Sequence, residues 1–227
     1  MAQQLILDLL PAPPPSLENF VVGRNAAALE ALRHCEGGRA VYLWGPAGVG
    51  RSHLLHGVCQ HMNGLYHDSD SAAALHELAT SETMSVPLVA VDDVQALDAE
   101  GQAALFALYN RWRESAYTRQ AFALVLAGDR SPLAMDVRED LRTRLGWDLV
   151  FRLEQLSDEE RAQALQSRAA ERGLKLSPDV VTWLLTHHER DMSRLTSLVD
   201  ALDRYSLARH RAITLPLLKD LLASHQP

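Results

Sequence analysis

A parallel α/β sheet flanked by helices, followed by a small C-terminal domain made only of helices, is the fold that three features of this 227-residue sequence predict. The first is Gly45-Pro46-Ala47-Gly48-Val49-Gly50-Arg51-Ser52, set between the apolar run Ala40-Val41-Tyr42-Leu43-Trp44 and a helical pattern through Leu54, Leu55 and Val58. Strand, glycine-rich turn and helix start, in that order, are the context of a phosphate-binding P-loop. The second is the apolar runs at residues 86–91 and 121–127, separated by helical spacing over 99–114. Strands that alternate with helices imply a mostly parallel sheet with right-handed crossovers. The third is the change at Ser157, after which the spacing is helical throughout.

Residues 1–10 read Met-Ala-Gln-Gln-Leu-Ile-Leu-Asp-Leu-Leu, and Pro11, Pro13, Pro14 and Pro15 follow. Proline lacks an amide donor and fixes φ, so this stretch reads as an extended tether. The apolar decapeptide ahead of it has two readings: an edge strand or staple folded back on the core, or a linear motif that adds itself to a partner's groove. Ala28, Leu29, Leu32 and Cys35 predict a helix before the P-loop strand. Gly64-Leu65-Tyr66-His67 predicts a short strand and residues 72–78 a helix. Residues 121–127 are almost continuously apolar, as expected of a strand covered on both faces. Leu149-Val150-Phe151 predicts the last strand. In the helical part, Ser157-Asp158-Glu159-Glu160 is a capping box. Gly173 suits a helix end, and Ser177-Pro178 a cap followed by proline at the first helical position. Val180, Val181, Leu184 and Leu185 make one apolar stripe, Leu195, Leu198, Val199, Leu202 and Leu207 another, and residues 214–222 a final helix. The expected divisions are 1–16 (peptide and tether), 17–156 (α/β nucleotide-binding domain) and 157–227 (helical lid).

Composition narrows the function classes. Apolar residues make up 47% of the chain, which predicts a buried core rather than disorder. A net charge of −7 argues against nonspecific DNA binding over the whole surface, though not against a local basic patch. Of 22 basic residues only Lys175 and Lys219 are lysines, so a general arginine bias is a competing explanation for every arginine named below. Cys35 and Cys59 follow no metal or redox spacing and read as free thiols of a cytoplasmic protein. No apolar run is long enough to span a membrane, and no positive region precedes the short N-terminal apolar stretch as in a signal peptide.

The chemistry follows from the loop. Its glycines let the backbone wrap phosphate oxygens, and the amides at the start of the next helix point at the anion. Ser52 stands where the P-loop hydroxyl meets Mg2+, and Arg51 where lysine is usual. A planar, forked guanidinium is not equivalent to a compact ammonium. Leu88-Val89-Ala90-Val91 ends in Asp92-Asp93; in a P-loop protein the first acid sits by the metal ion and the second can orient water. A helix-capping pair is the plainer alternative. Asp129, after residues 124–128, can sense a terminal phosphate or simply belong to an Asp-Arg-Ser-Pro turn. In Leu141-Arg142-Thr143-Arg144-Leu145-Gly146-Trp147 the two arginines do not share a helix face, and either an arginine finger or solvated charge fits. Arg194, at the start of a lid helix, can turn back to the nucleotide or lie in solvent. His53 and His56 are one turn apart with no acid or cysteine to complete a metal set.

These pieces in this order resemble the AAA+ ATPases and, within them, the DnaA subfamily, with its short Hda branch of regulatory inactivators the nearer. The resemblance spans about residues 17–223 and rests on Asn19-Phe20-Val21-Val22-Gly23, residues 45–52, Asp92-Asp93, Gly128-Asp129-Arg130 and residues 141–147. It implies that Phe20, Val21 and Val22 face adenine, that Gly45, Pro46, Ala47, Gly48, Val49, Gly50, Arg51, Ser52, Asp92, Asp93, Asp129 and Arg194 hold ADP or ATP with Mg2+ at Ser52 and Asp92, and that Arg144 is the finger acting in trans. Arg51 departs from the P-loop lysine, and Ser193 stands where the lid arginine is usual, with Arg194 one further on. Gln4-Leu5-Ile6-Leu7-Asp8-Leu9 looks like the hexapeptide that binds the bacterial sliding clamp, the β subunit of DNA polymerase III, through Gln4, Leu5, Leu7 and Leu9. No DNA-reading domain follows the lid, so DNA contact is expected only through the clamp. The implied partners are DnaA and the clamp, with self-association into a homodimer or larger homo-oligomer left open. The implied place is the cytoplasm, at the nucleoid or replisome. The implied function is inactivation of DnaA after initiation. An autonomous ATPase or an initiator-remodelling factor is the alternative.

Overall fold

Three strands whose every residue is buried or nearly so form the middle of one parallel sheet. β1 (Ala40–Trp44) is hydrogen-bonded to β4 (Ala123–Gly128) on one side and to β5 (Leu149–Arg152) on the other; β3 (Leu88–Val91) pairs with β4, and β2 (Leu65–His67) with β3. The order is β2-β3-β4-β1-β5, all parallel. The continuously apolar sequences lie inside, whereas β2 and β5, with partly exposed residues, occupy the edges. The computed structural model describes residues 14–187 and 192–223. Those from Pro15 to Gln155 form one compact unit and those from Leu156 on a second.

Alternation along the strands sorts the core of the first unit into two layers. Val41, Leu43, Ala90, Val125 and Ala127 face α1 (Ala26–Arg33) and α2 (Arg51–Met62), together with Leu17 and Phe20. Tyr42, Val89, Val91, Leu124 and Leu126 face α3 (Ala72–Thr80), α4 (Ala99–Ser115) and α5 (Glu139–Arg144). Each fully buried Leu or Val contributes roughly 1.5–3 kcal/mol, so the strands that carry the site are also the most strongly held.

The second unit packs α6 (Asp158–Glu171), α7 (Pro178–His187), α8 (Met192–Arg209) and α9 (Leu215–Ala223) around Leu165, Val180, Leu184, Leu195, Val199, Leu202, Leu217 and Leu221. The capping box at the start of α6 is complete. Ser157 Oγ accepts from the Glu160 amide at 3.1 Å, and Glu160 Oε2 accepts from the Ser157 amide at 2.7 Å. Gly173, just past α6, takes φ +72, the left-handed geometry of a helix stop.

Candidate functional site: a phosphate loop and a distant arginine

β1 delivers the chain to Gly45 at the carboxyl edge of the sheet, where ligand crevices of α/β folds lie. Gly48 (φ +78) and Gly50 (φ +94) then adopt the left-handed conformation that other residues rarely take. A Cβ on Gly50 would come within 2.7 Å of the Phe20 ring, whereas one on Gly48 would meet nothing within 4 Å. The loop is therefore packed at one end and open at its turn. No side chain caps the start of α2, so the first amides of this 12-residue helix remain available to an anion. Ser52 is exposed in the first turn.

The segment bearing Phe20, Val21 and Val22 is fixed beside the loop. Phe20 is tilted against His53 of α2 at 5.6 Å between centroids. The buried Asn25 side chain exchanges two hydrogen bonds with the Glu154 backbone, at 3.0 and 2.7 Å, which ties this segment to the residues following β5.

Arg51, the first residue of α2, does not point into solvent. Its Nη2 donates to Asp93 Oδ1 at 3.2 Å, and only 12% of the side chain is exposed. Its Nη1 is buried with no acceptor among the described residues. Asp92 is buried at the end of β3, where Oδ2 accepts from the Tyr66 hydroxyl at 2.9 Å and Oδ1 from the Asp93 amide at 2.8 Å. Tyr66 in turn stacks on His56 of α2 at 3.8 Å. Burial first, then the neighbouring Asp92, pushes the Tyr66 hydroxyl well above its ordinary range, so it stays a donor. Asp93 has φ +46, an uncommon value for a non-glycine residue.

Gln95 joins the acids to the next strand. Its Nε2 donates to Asp93 Oδ1 at 2.8 Å, and its Oε1 accepts from the Asp129 amide at 3.1 Å. The Asp129 carboxylate is gripped by Arg130 at 2.8 and 2.7 Å, and this hydrogen bonding holds it below the usual carboxylate range. The fold thus gathers the loop, Asp92, Asp93 and Asp129 at the ends of β1, β3 and β4. Tyr66, Gln95 and Arg130 complete the cluster; sequence reasoning gave none of them a role, although Arg130 lies in the motif with Asp129. Their signal was only adjacency: one residue past Asp129, two past Asp93, and one strand away from Asp92.

Arg144 is elsewhere. It ends α5, with Nη1 donating to the Asp140 carbonyl at 2.9 Å. Its guanidinium lies 4.0 Å from the centroid of Phe106 and 5.0 Å from that of Trp147. Arg113 also stands over Trp147, at 5.0 Å, and Arg138 over Phe106, at 5.1 Å. Arg142 shares none of these contacts. Next to Trp147, Asp148 accepts from the Ala40 amide at 2.9 Å, where β1 begins. Arg144 is thus held against α4 and Trp147, and none of its contacts among the described residues is with the phosphate loop, Asp92, Asp93 or Asp129. Arg194 lies exposed in the first turn of α8, in the other unit. Gln4, Leu5, Leu7 and Leu9 lie outside the described residues.

Residues 158–222 match the family model described as Hda, lid domain. Domain III of the Thermotoga maritima replication initiation protein DnaA is similar in structure, with TM-score 0.71, 24% identity and coverage of 94% of this chain and 98% of that one. The chain thus carries a Hda-type lid after an α/β unit with the fold of the DnaA AAA+ domain. AMPPCP-bound DnaA from Aquifex aeolicus matches with TM-score 0.65 and 25% identity, over 87% of this chain and 70% of that one. The Holliday-junction branch-migration motor RuvB of Thermotoga maritima, at 17% identity, shares the fold alone, with TM-score 0.66 over 92% of this chain and 72% of that one. The expected AAA+ sheet and the helical lid are therefore both present. No helix among the described residues is long and apolar enough to cross a membrane.

Proposed function

We propose that this protein is a nucleotide-bound adaptor of the Hda type, which holds the DNA-loaded sliding clamp and stimulates ATP hydrolysis by DnaA in trans, so preventing re-initiation. The observation that carries this is the separation of its two special arginines. Arg51 closes on the chain's own Asp93, while Arg144 is held by Asp140, Phe106 and Trp147, with no contact to that acid or to the loop among the described residues.

The residues present fit an adenine nucleotide, ADP or ATP, with ADP expected in the working adaptor. The open turn at Gly48 and the uncapped amides of α2 suit phosphate oxygens, and Phe20, Val21 and Val22 would border the base. Ser52 and Asp92 would hold Mg2+, since each Asp92 oxygen keeps a lone pair beyond its present bond. Asp129, neutralised by Arg130, and Arg194 would line the terminal phosphate. From the end of α5, Arg144 supplies a permanent charge for the phosphoryl oxygens of a neighbour's nucleotide during transfer. Gln4, Leu5, Leu7 and Leu9 would dock in the clamp, leaving the proline tether to span the gap. Contact with DNA is then indirect.

The deciding experiment measures ATP hydrolysis by DnaA with and without this protein and clamp loaded on DNA. Stimulation that needs both is expected; no stimulation with loaded clamp present refutes the adaptor role. Deleting residues 1–10 should abolish clamp binding and leave the melting midpoint unchanged. A sharp fall in melting midpoint with clamp affinity intact would make the peptide a staple instead. The presence of both Asp92 and Asp93 favours a second reading, an autonomous ATPase or remodelling factor, which brisk hydrolysis by the purified chain would support.

A further inference from the structure

We infer that Asp93 is an internal competitor for the phosphate-binding guanidinium, so that nucleotide entry transfers Arg51 from carboxylate to phosphate and sets Asp93 free. This rests on residues 45–52 being a nucleotide site.

The Arg51 guanidinium is poorly satisfied where it lies. Its bond to Asp93 is 3.2 Å, longer than the roughly 2.7–2.9 Å usual for a charge-assisted pair. Nη1 is buried with no acceptor among the described residues. An unmet buried donor is costly, and a guanidinium's two terminal nitrogens match the oxygens of one phosphate. A phosphate chain seated on the loop would satisfy both nitrogens, which one Asp93 oxygen does not.

Asp93 loses little when Arg51 leaves. Its Oδ1 keeps the 2.8 Å bond from Gln95 Nε2, and its side chain is 46% exposed, so water can solvate it. The positive φ of Asp93 and the bond from its amide to Asp92 keep the carboxylate in place without the arginine. Arg51 is the mobile partner and Asp93 the fixed one. Asp129 also feels the Arg51 charge, so the guanidinium lies within the field of both strand ends. A compact lysine ammonium would lack the second nitrogen that makes this competition possible.

The test is a double-mutant cycle on ADP affinity, measured by calorimetry in the presence of Mg2+ with the full chain. Asp93→Asn should tighten ADP binding about 5-fold, the scale of a partly exposed ion pair. In an Arg51→Ala background the same substitution should change affinity less than about 2-fold. Asp93→Ser serves as a second charge-removing variant should Asp93→Asn fold poorly. Equal tightening in both backgrounds would mean that only repulsion was removed, and would overturn the competition, as would unchanged or weaker binding by the wild-type background variant. Wild-type binding with a flat cycle leaves the nucleotide site standing and overturns the proposal alone. No ADP binding by any variant overturns both.

Discussion

Two regions of the α/β unit each present one arginine, and they are held by opposite means. At the carboxyl edge of the sheet Arg51 is neutralised by Asp93 and mostly buried. At the end of α5 Arg144 is held by aromatic faces, Phe106 and Trp147, and by a carbonyl. An acid partner cancels the charge that a transferring phosphoryl group needs. An aromatic face attracts the cation through the ring quadrupole without neutralising it. On the proposed function, the first arrangement would dampen hydrolysis of the chain's own nucleotide and the second would leave a charge available to another's.

The largest expected effect breaks the arginine at the end of α5. Arg144→Ala should remove stimulation of DnaA hydrolysis, a loss on the order of 10³–10⁵-fold in other phosphoryl-transfer systems, while ADP affinity and melting midpoint stay near wild type. Arg142→Ala is the control, since it lies on a different face of α5. Should Arg142→Ala lose stimulation and Arg144→Ala retain it, the finger moves to Arg142; should both stimulate normally, the adaptor loses its mechanism.

The carboxyl edge should respond to the reverse change. Arg51→Lys places a compact charge where the usual P-loop has one and relieves Asp93 of its forked partner. Transition-state donors are typically worth about 10²-fold or more, so a steady-state assay should detect a rise in self-hydrolysis of about 10-fold at least. Stimulation of DnaA should not change. A variant as inactive as wild type would mean that Arg51 is not what restrains turnover.

How far the sequence foretold these regions depends on the range of each contact. The glycine-rich loop, the buried strands and the capping box were legible because a turn, an apolar run and a helix start are written within a few residues. Arg51 stood out as a departure from lysine, but its pairing with Asp93 was not visible, because β3 must first be placed two strands from β1. The same holds for Tyr66 on Asp92, which needs β2 beside β3, and for Gln95, which needs β3 beside β4. The Arg144 cradle depends on α4 lying under α5, so Phe106 read only as one apolar residue of a helical stripe. Residue types announced the chemistry; strand order decided which groups meet.

A smaller effect sharpens the role of the cradle. Trp147 is 45% exposed and carries two guanidinium groups. An exposed cation–π contact is worth about 0.5–1 kcal/mol. Trp147→Ala should therefore reduce DnaA stimulation by only about 3- to 5-fold at saturating clamp, and Trp147→Phe should restore most of it. Loss of stimulation as complete as in Arg144→Ala would make Trp147 a partner contact and not merely a support.

The smallest effect is a dependence on pH at the carboxyl edge. His67 ends β2 beside the acids, and its Nε2 is buried with no partner among the described residues. Burial lowers its pKa from the ordinary 6.5, against a weaker upward pull from Asp68. The unfolded chain therefore takes up this proton at a higher pH than the folded one. Stability from the neutral imidazole is fully present above about pH 6.5 and is lost as pH falls from there toward the lowered folded value. Around Arg144 the shifted group is instead a carboxylate: Asp140, hydrogen-bonded by Arg138, stays ionised below the usual range. Between pH 7.5 and 5.5 the melting midpoint of wild type should fall further than that of His67→Gln. The other histidines contribute equally to both proteins, so the difference isolates this site. Parallel falls would show that His67 is not a source of the acid sensitivity.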